Sequence, residues 1–105
     1  MKGTEKQIAW VEDIKRTAYD TCRSNIERMS GEALFESDVK AYKVMIAVLD
    51  KMMAINEDKD ASWWIDHRGQ ISSGAINQIA NRWAEMIRTG KMTAEQLAEK
   101  NGVRI

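Results

Sequence analysis

The stretch VKAYKVMIAVLDKMM, Val39 to Met53, decides the fold because its apolar residues recur every three or four positions. This helical stripe is unusually wide, since Val48 and Met53 extend it sideways. A helix with so broad an apolar face is either central in a bundle or shared with a partner chain. The second alternative makes Met53 a candidate contact residue and a homodimer one possible assembly. The stripe consists of Val39, Tyr42, Met45, Ile46, Leu49, Met52 and Met53.

The segment that precedes this stretch predicts a long first helix. Thr4 and Gln7 have the spacing of a capping box, in which each side chain bonds the backbone of the other residue. Apolar residues then form one stripe as far as Met29, and Ser30-Gly31 is expected to end the helix. The stripe comprises Ile8, Val11, Ile14, Ala18, Cys22, Ile26 and Met29.

Residues 32–37, EALFES, are expected to connect the first two helices. Leu34 and Phe35 are apolar and are expected to turn inward. Ser37 is expected to cap the second helix through its hydroxyl, with Asp38 near the positive end of the helix dipole.

Three further helices are predicted after the acidic turn NEDKD, which begins at Asn56. Asp60 or Ser62 is expected to cap a short third helix through ASWWIDH, ended by Gly69. Ser72 or Ser73 caps a fourth helix that ends at Gly90. A second capping box, Thr93 with Gln96, begins a fifth helix whose Leu97 and Ala98 point inward. The sequence therefore predicts an all-α fold in a single domain, residues 1–105: a compact bundle of two long helices, one intermediate and two short helices.

The composition limits the setting of the protein. The 105 residues carry 16 basic and 16 acidic groups, and the hydrophobic share of 44% is ordinary for a globular domain. No apolar run approaches the roughly 18 residues that span a membrane, and the opening residues lack the apolar core of a signal peptide. A lone cysteine fits a reducing environment. We therefore expect a cytoplasmic protein with no membrane partner.

The chain offers few residues for catalysis or for metal binding. The chain has one histidine, His67, and one cysteine, Cys22, whereas a structural zinc site needs about four nitrogen or sulfur ligands. Cys22 lies on the apolar stripe of the first helix, where a free cysteine behaves as a small hydrophobe. Glycine spacing fits neither a phosphate loop nor a dinucleotide fingerprint. We therefore expect no enzyme activity, no catalytic residue, no metal and no cofactor.

Two adjacent tryptophans stand out in DASWWIDHRG, Asp60 to Gly69. Neighbouring residues of a helix point about 100° apart, so Trp63 and Trp64 cannot both enter the core in the same direction. A partly exposed tryptophan next to an arginine, here Arg68, is typical of binding hot spots. Alternatively, both rings shield the ends of the long helices and have a purely structural role.

The fourth helix offers a different surface. Its polar face, from Asn77 to Arg88, carries Asn, Gln and Arg side chains, which are the types that read base edges and phosphates. They are also ordinary solvent-facing helix residues, and Glu85 on the same face would oppose phosphate. The neutral net charge does not favour nucleic-acid binding. The candidate nucleic-acid contacts are Gln78, Asn81, Arg82, Arg88 and Lys91.

Two segments, GTEKQIAWVEDI (Gly3 to Ile14) and DASWWIDHR (Asp60 to Arg68), resemble a loose group of small uncharacterised phage and mobile-element proteins. The resemblance implies a non-enzymatic accessory protein that binds and modulates, most often inhibits, a larger protein or nucleoprotein, for example a host-defence nuclease. Anti-CRISPR proteins are one such class. On this interpretation the partner contacts are Trp63, Trp64, Arg68 and Met53. The alternative is a small DNA-binding regulator that uses the fourth helix.

Overall fold

The computed structural model describes all 105 residues and contains helices and turns but no strand. Two helices are long, one is intermediate and two are short, as the sequence predicts. Two 3₁₀ turns, Ala33–Phe35 and Arg68–Gln70, join them. The all-α prediction is therefore confirmed. The helices are α1 (Glu5–Met29), α2 (Glu36–Ile55), α3 (Ala61–Asp66), α4 (Ser73–Arg88) and α5 (Ala94–Lys100).

Helix α2 is the centre of the bundle, because it packs against α1, α4 and α5. Its wide apolar arc is thereby divided among three neighbours within the same chain. Met53 is partly buried and packs against the main core. Helix α2 thus has the central position that is one explanation for the broad face, and sharing of this face with a second copy stays a prediction. The buried residues of α2 are Ala41, Tyr42, Val44, Met45 and Leu49.

The core has two parts. The main cluster joins α1, α2, α3 and α4 and contains Leu49 and Trp64, both almost fully buried. A smaller cluster joins Val44 of α2 to Leu97 of α5, and Trp83 packs against both clusters. No polar or charged residue is buried. The interior is therefore built from apolar residues. None of the helices has the length and apolar content needed to cross a membrane.

Most of the helix caps form where the sequence predicts them. Both capping boxes form. The backbone N–H of Gln7 donates to Thr4 Oγ1 at 3.1 Å, and the backbone N–H of Gln96 donates to Thr93 Oγ1 at the same distance. Ser72 is the cap of α4, because its Oγ accepts from the Ala75 amide at 3.2 Å.

The prediction that Ser37 caps α2 is wrong. The 3₁₀ turn runs directly into the helix, which begins at Glu36 with Phe35 in the cap position and no side-chain cap. Leu34 is also not turned inward, since 79% of it is exposed, whereas Phe35 is partly buried against the main core. Successive residues of a 3₁₀ turn point about 120° apart, so only one of the two adjacent side chains can face the bundle.

A polar seam joins the three longest helices where they meet. The Tyr42 hydroxyl of α2 donates to Asn77 Oδ1 of α4 at 2.6 Å, and Asn25 Nδ2 of α1 approaches the same oxygen at 3.4 Å. Thr21 and Ser73 hydroxyls lie 2.8 Å apart nearby. The interpretation of Asn77 as a solvent-facing residue is therefore wrong, because its amide is partly buried in this seam.

Candidate partner-binding surface

Helix α3 is held against the N-terminal half of α1. The Ala61 amide at its start donates to the Lys2 carbonyl at 2.9 Å. Gly3 has a φ of +153°, and a Cβ there would lie 2.7 Å from the Cβ of Ala61, so the close approach requires glycine. Further along, the Lys15 ammonium lies 4.2 Å from the centre of the Trp64 ring.

The two adjacent tryptophans have different environments. Trp64 is 1% exposed and fills the main core, whereas Trp63 is only partly buried. Their rings meet edge to face, with centroids 5.1 Å apart and planes at 85°. The prediction that one ring enters the core while the other stays partly exposed is confirmed. Trp64 is thereby removed from the candidate partner contacts, because its ring is not accessible.

His67 supports the Trp63 ring. The two rings stack with centroids 4.1 Å apart and planes at 21°. His67 Nδ1 lies 2.7 Å from the Trp63 carbonyl oxygen, which fits Nδ1 carrying the proton and donating it to the last turn of α3. The hydrogen bond orients the His67 ring, and that ring stacks on the Trp63 indole, so the exposed part of the indole is a preorganised surface.

Cys22 and His67, the pair that a catalytic interpretation would require, form no hydrogen bond with each other. Cys22 is fully buried on α1, and this burial raises the pKa of its thiol to about 11. The thiol is therefore protonated at neutral pH, when a nucleophilic cysteine would need to be a thiolate. No group of three or more His, Cys, Asp or Glu side chains is placed to hold a metal ion.

Trp10 is a surface residue that the sequence analysis did not select. It is 46% exposed, and the Arg68 guanidinium carbon lies 5.2 Å from its ring centroid. Arg68 also donates to the Ile65 carbonyl at 2.6 Å. The sequence did contain an indication: Trp10 is an aromatic residue outside the apolar stripe of α1. We refer to Trp10, Trp63, His67 and Arg68 together as the aromatic surface.

A recess of about 410 Å³ borders Trp63. Its three carboxylates, those of Asp58, Asp60 and Asp66, form no hydrogen bond. They also form no ion pair, because the ion pairs of the chain all involve other residues. Asp60 occupies the cap position of α3 but its side chain does not bond the helix. The Lys59 ammonium lies 5.9 Å from the Trp63 centroid. We call this feature the acidic recess, lined by Asp58, Lys59, Asp60, Ser62, Trp63 and Asp66.

The candidate nucleic-acid contacts of α4 and the following turn are all exposed: Gln78, Asn81, Arg82, Arg88 and Lys91. Arg88 forms an ion pair with Glu85, which neutralises one of the three cations of this face. Arg82 and Lys91 keep their charges free.

Two aromatic contacts thus involve α3 and the turn after it: Trp63 stacks on His67, and Arg68 lies over Trp10 of α1. The acidic recess borders Trp63. Comparisons of the chain with models of protein families, with curated proteins and with solved structures found no significant match.

Proposed function

We propose that this chain is a non-enzymatic interaction protein that binds a larger protein or nucleoprotein through the aromatic surface. The observation that carries the proposal is Trp63, a partly exposed indole held in place by a stacked histidine. Tryptophan and arginine are enriched among residues that dominate binding energy. A side chain already fixed in its bound orientation loses little conformational entropy when a partner binds.

The phage or mobile-element setting is part of this proposal and rests on the sequence resemblance. Its two segments, Gly3 to Ile14 and Asp60 to Arg68, are the ones that supply the aromatic surface, where Arg68 lies over Trp10. A shared surface gives the two segments a common role in binding. On this proposal the chain acts as an accessory or inhibitory factor, for example against a host-defence nuclease, and works in the cytoplasm.

The test is affinity capture from a bacterial extract, with proteins identified and quantified by mass spectrometry. The variants are Trp63→Ala and, as a matched control, Leu34→Ala, which removes an exposed apolar side chain beyond the opposite end of α1. We expect Trp63→Ala to lower capture of a specific partner at least thirtyfold, the effect of losing a hot-spot residue worth ~2 kcal/mol. Circular dichroism checks that both variants fold. Equal capture by both variants would contradict the proposal.

A DNA-binding regulator is the second candidate, supported by the common exposure of the five polar side chains on and after α4. Binding to duplex and single-stranded DNA at low salt tests it, with Arg82→Ala combined with Arg88→Ala as the variant. The expected result is a weaker affinity with a smaller salt dependence. Absence of binding at low salt excludes this candidate.

A further inference from the structure

A second recess opens between α1 and the start of α4, and Arg68 joins it to Trp10. Its volume is about 340 Å³. Ile71 is 3% exposed and belongs to the main core, and Ile14 is partly buried against the same core. These two isoleucines give the recess an apolar lining. We call this feature the α1–α4 recess, lined by Ile14 and Thr17 of α1, by Arg68 and Gly69 of the second 3₁₀ turn, and by residues 71–73.

The serine hydroxyls of the recess are already bonded within the chain. Ser73 Oγ lies 2.8 Å from Thr21 Oγ1 of α1. Ser72 Oγ donates to the Gly69 carbonyl at 3.3 Å and accepts from the Ala75 amide at 3.2 Å. The recess therefore offers a ligand mainly the apolar contacts of its two isoleucines.

One unbalanced charge lies at the recess. Arg68 is the only charged residue of the lining, and it takes part in none of the ion pairs of the chain. One of its N–H groups donates to the Ile65 carbonyl, and the others form no hydrogen bond within the chain. Asp13 of α1 is paired with Arg16, and Asp66 lines the acidic recess instead. The unbalanced charge of the α1–α4 recess is therefore positive.

Apolar walls combined with a guanidinium distinguish between kinds of ligand. A phosphate or sulfate would pair with Arg68 but would leave the apolar surface exposed to water. A purely apolar side chain would cover that surface but place no opposite charge against the guanidinium. A carboxylate matches the planar fork of a guanidinium through two parallel hydrogen bonds. The chemistry that uses both features is an aliphatic side chain beside a carboxylate, as in an Asp-Leu pair of a peptide.

We propose that the α1–α4 recess binds an acidic segment of the protein partner. An aliphatic side chain of that segment enters the recess, and the neighbouring carboxylate pairs with Arg68. The inference rests on the proposed function and adds the chemistry of the partner. Because the Arg68 guanidinium carbon also lies 5.2 Å from the Trp10 ring centroid, this contact extends the aromatic surface to the start of α4.

A peptide titration followed by NMR tests the recess directly. The probe is acetyl-Gly-Asp-Leu-Gly-amide, and two control peptides carry Asn in place of Asp or Ala in place of Leu. We expect the probe to shift the δ1-methyl resonances of Ile14 and Ile71 in a saturable way at low salt. The Asn peptide should bind about fivefold more weakly, since an exposed ion pair contributes modestly. The Ala peptide should bind about tenfold more weakly, since it covers less apolar surface. Equal shifts with the three peptides, or no shift with the probe, would overturn the inference.

Charge variants of the protein add a second criterion. Arg68→Gln should lower the affinity for the probe about fivefold and remove the difference between the Asp and Asn peptides. The matched control is Arg104→Gln, which removes the same charge from an exposed residue outside the recess and should leave the affinity unchanged. Circular dichroism checks that both variants fold. An equal loss of affinity in the two variants would refute a local role for Arg68.

The failure of this inference is distinguishable from the failure of the proposed function. A partner lost with Trp63→Ala but fully retained by Arg68→Gln would overturn the acidic-segment inference alone. A partner retained by Trp63→Ala would overturn the proposed function, whatever the peptide titration gives.

Discussion

Removing the hydroxyl of Tyr42 is expected to destabilise the bundle, because that group bonds α2 to α4. Tyr42 is 4% exposed, and its hydroxyl donates to Asn77 Oδ1 at 2.6 Å. In Tyr42→Phe the acceptor keeps only Asn25 Nδ2, which is 3.4 Å away. Loss of a neutral hydrogen bond costs ~1 kcal/mol, and a partly desolvated acceptor left without its main donor adds to that cost. We therefore expect the free energy of unfolding to fall by about 1.5 kcal/mol.

The measurement is urea unfolding followed by circular dichroism, and Tyr19→Phe is the matched control. The Tyr19 hydroxyl also donates a 2.6 Å hydrogen bond, to Asp50 Oδ1, but it does so at the surface, where water replaces the lost partner. The control should cost less than Tyr42→Phe, because the Asp50 carboxylate stays solvated after the hydroxyl is removed. A double-mutant cycle with Asn77→Ala should give a coupling energy of ~1 kcal/mol. If Tyr42→Phe costs no more than Tyr19→Phe, the polar seam does not stabilise the helix junction.

Two further predictions concern Gly3 and Cys22. Gly3→Ala should destabilise the fold by ~1–2 kcal/mol in the same urea assay, because φ is +153° and the new Cβ would lie 2.7 Å from Ala61 Cβ. In Gly74→Ala the added Cβ meets nothing within 4 Å, so this variant should be as stable as the original protein or more stable. A larger loss of stability in Gly74→Ala than in Gly3→Ala would refute the close approach of Gly3 to Ala61. For Cys22, the unfolded thiol ionises near its ordinary pKa of 9.0 while the folded thiol stays protonated to about 11. Stability is therefore fully present below pH 9 and declines as pH rises through this window, by up to roughly 3 kcal/mol. Cys22→Ala should decline less over the same window, and parallel curves for the two proteins would contradict the assignment to the thiol.

Local rules account for the parts of the fold that the sequence predicted correctly. Both capping boxes form because a Thr and a Gln three positions apart can bond each other's backbone without help from the rest of the chain. The different burial of the adjacent rings of Trp63 and Trp64 likewise follows from helical geometry. Neither result depends on which helices pack together.

Apart from the Ser37 cap, the mistaken predictions and the omission of Trp10 depended on distant partners. Leu34 and Phe35 are equally apolar, and only the approach of the main core decides that Phe35 packs inward. Asn77 belongs to the polar seam because Tyr42, 35 residues away along the chain, reaches it. Trp10 becomes part of a surface only when Arg68 is placed over its ring. The helical period of a sequence identifies the apolar face of a helix, but it does not identify which element packs against the other faces of that helix.

The hydrogen bond between the Ala61 amide and the Lys2 carbonyl makes the proposed partner-binding surface depend on the N-terminal segment. Helix α3 has six residues, which is too short to be stable by itself, so its persistence depends on what holds it against α1. Whenever residues 2 and 3 detach, the first amide of α3 loses its acceptor, and the short helix loses one of its contacts with the rest of the fold. The apparent affinity for a partner is then the intrinsic affinity multiplied by the fraction of molecules in which this segment is docked. Hydrogen exchange at the Ala61 amide measures that fraction, so a change at Lys2 or Gly3 can weaken partner binding without altering any contact residue.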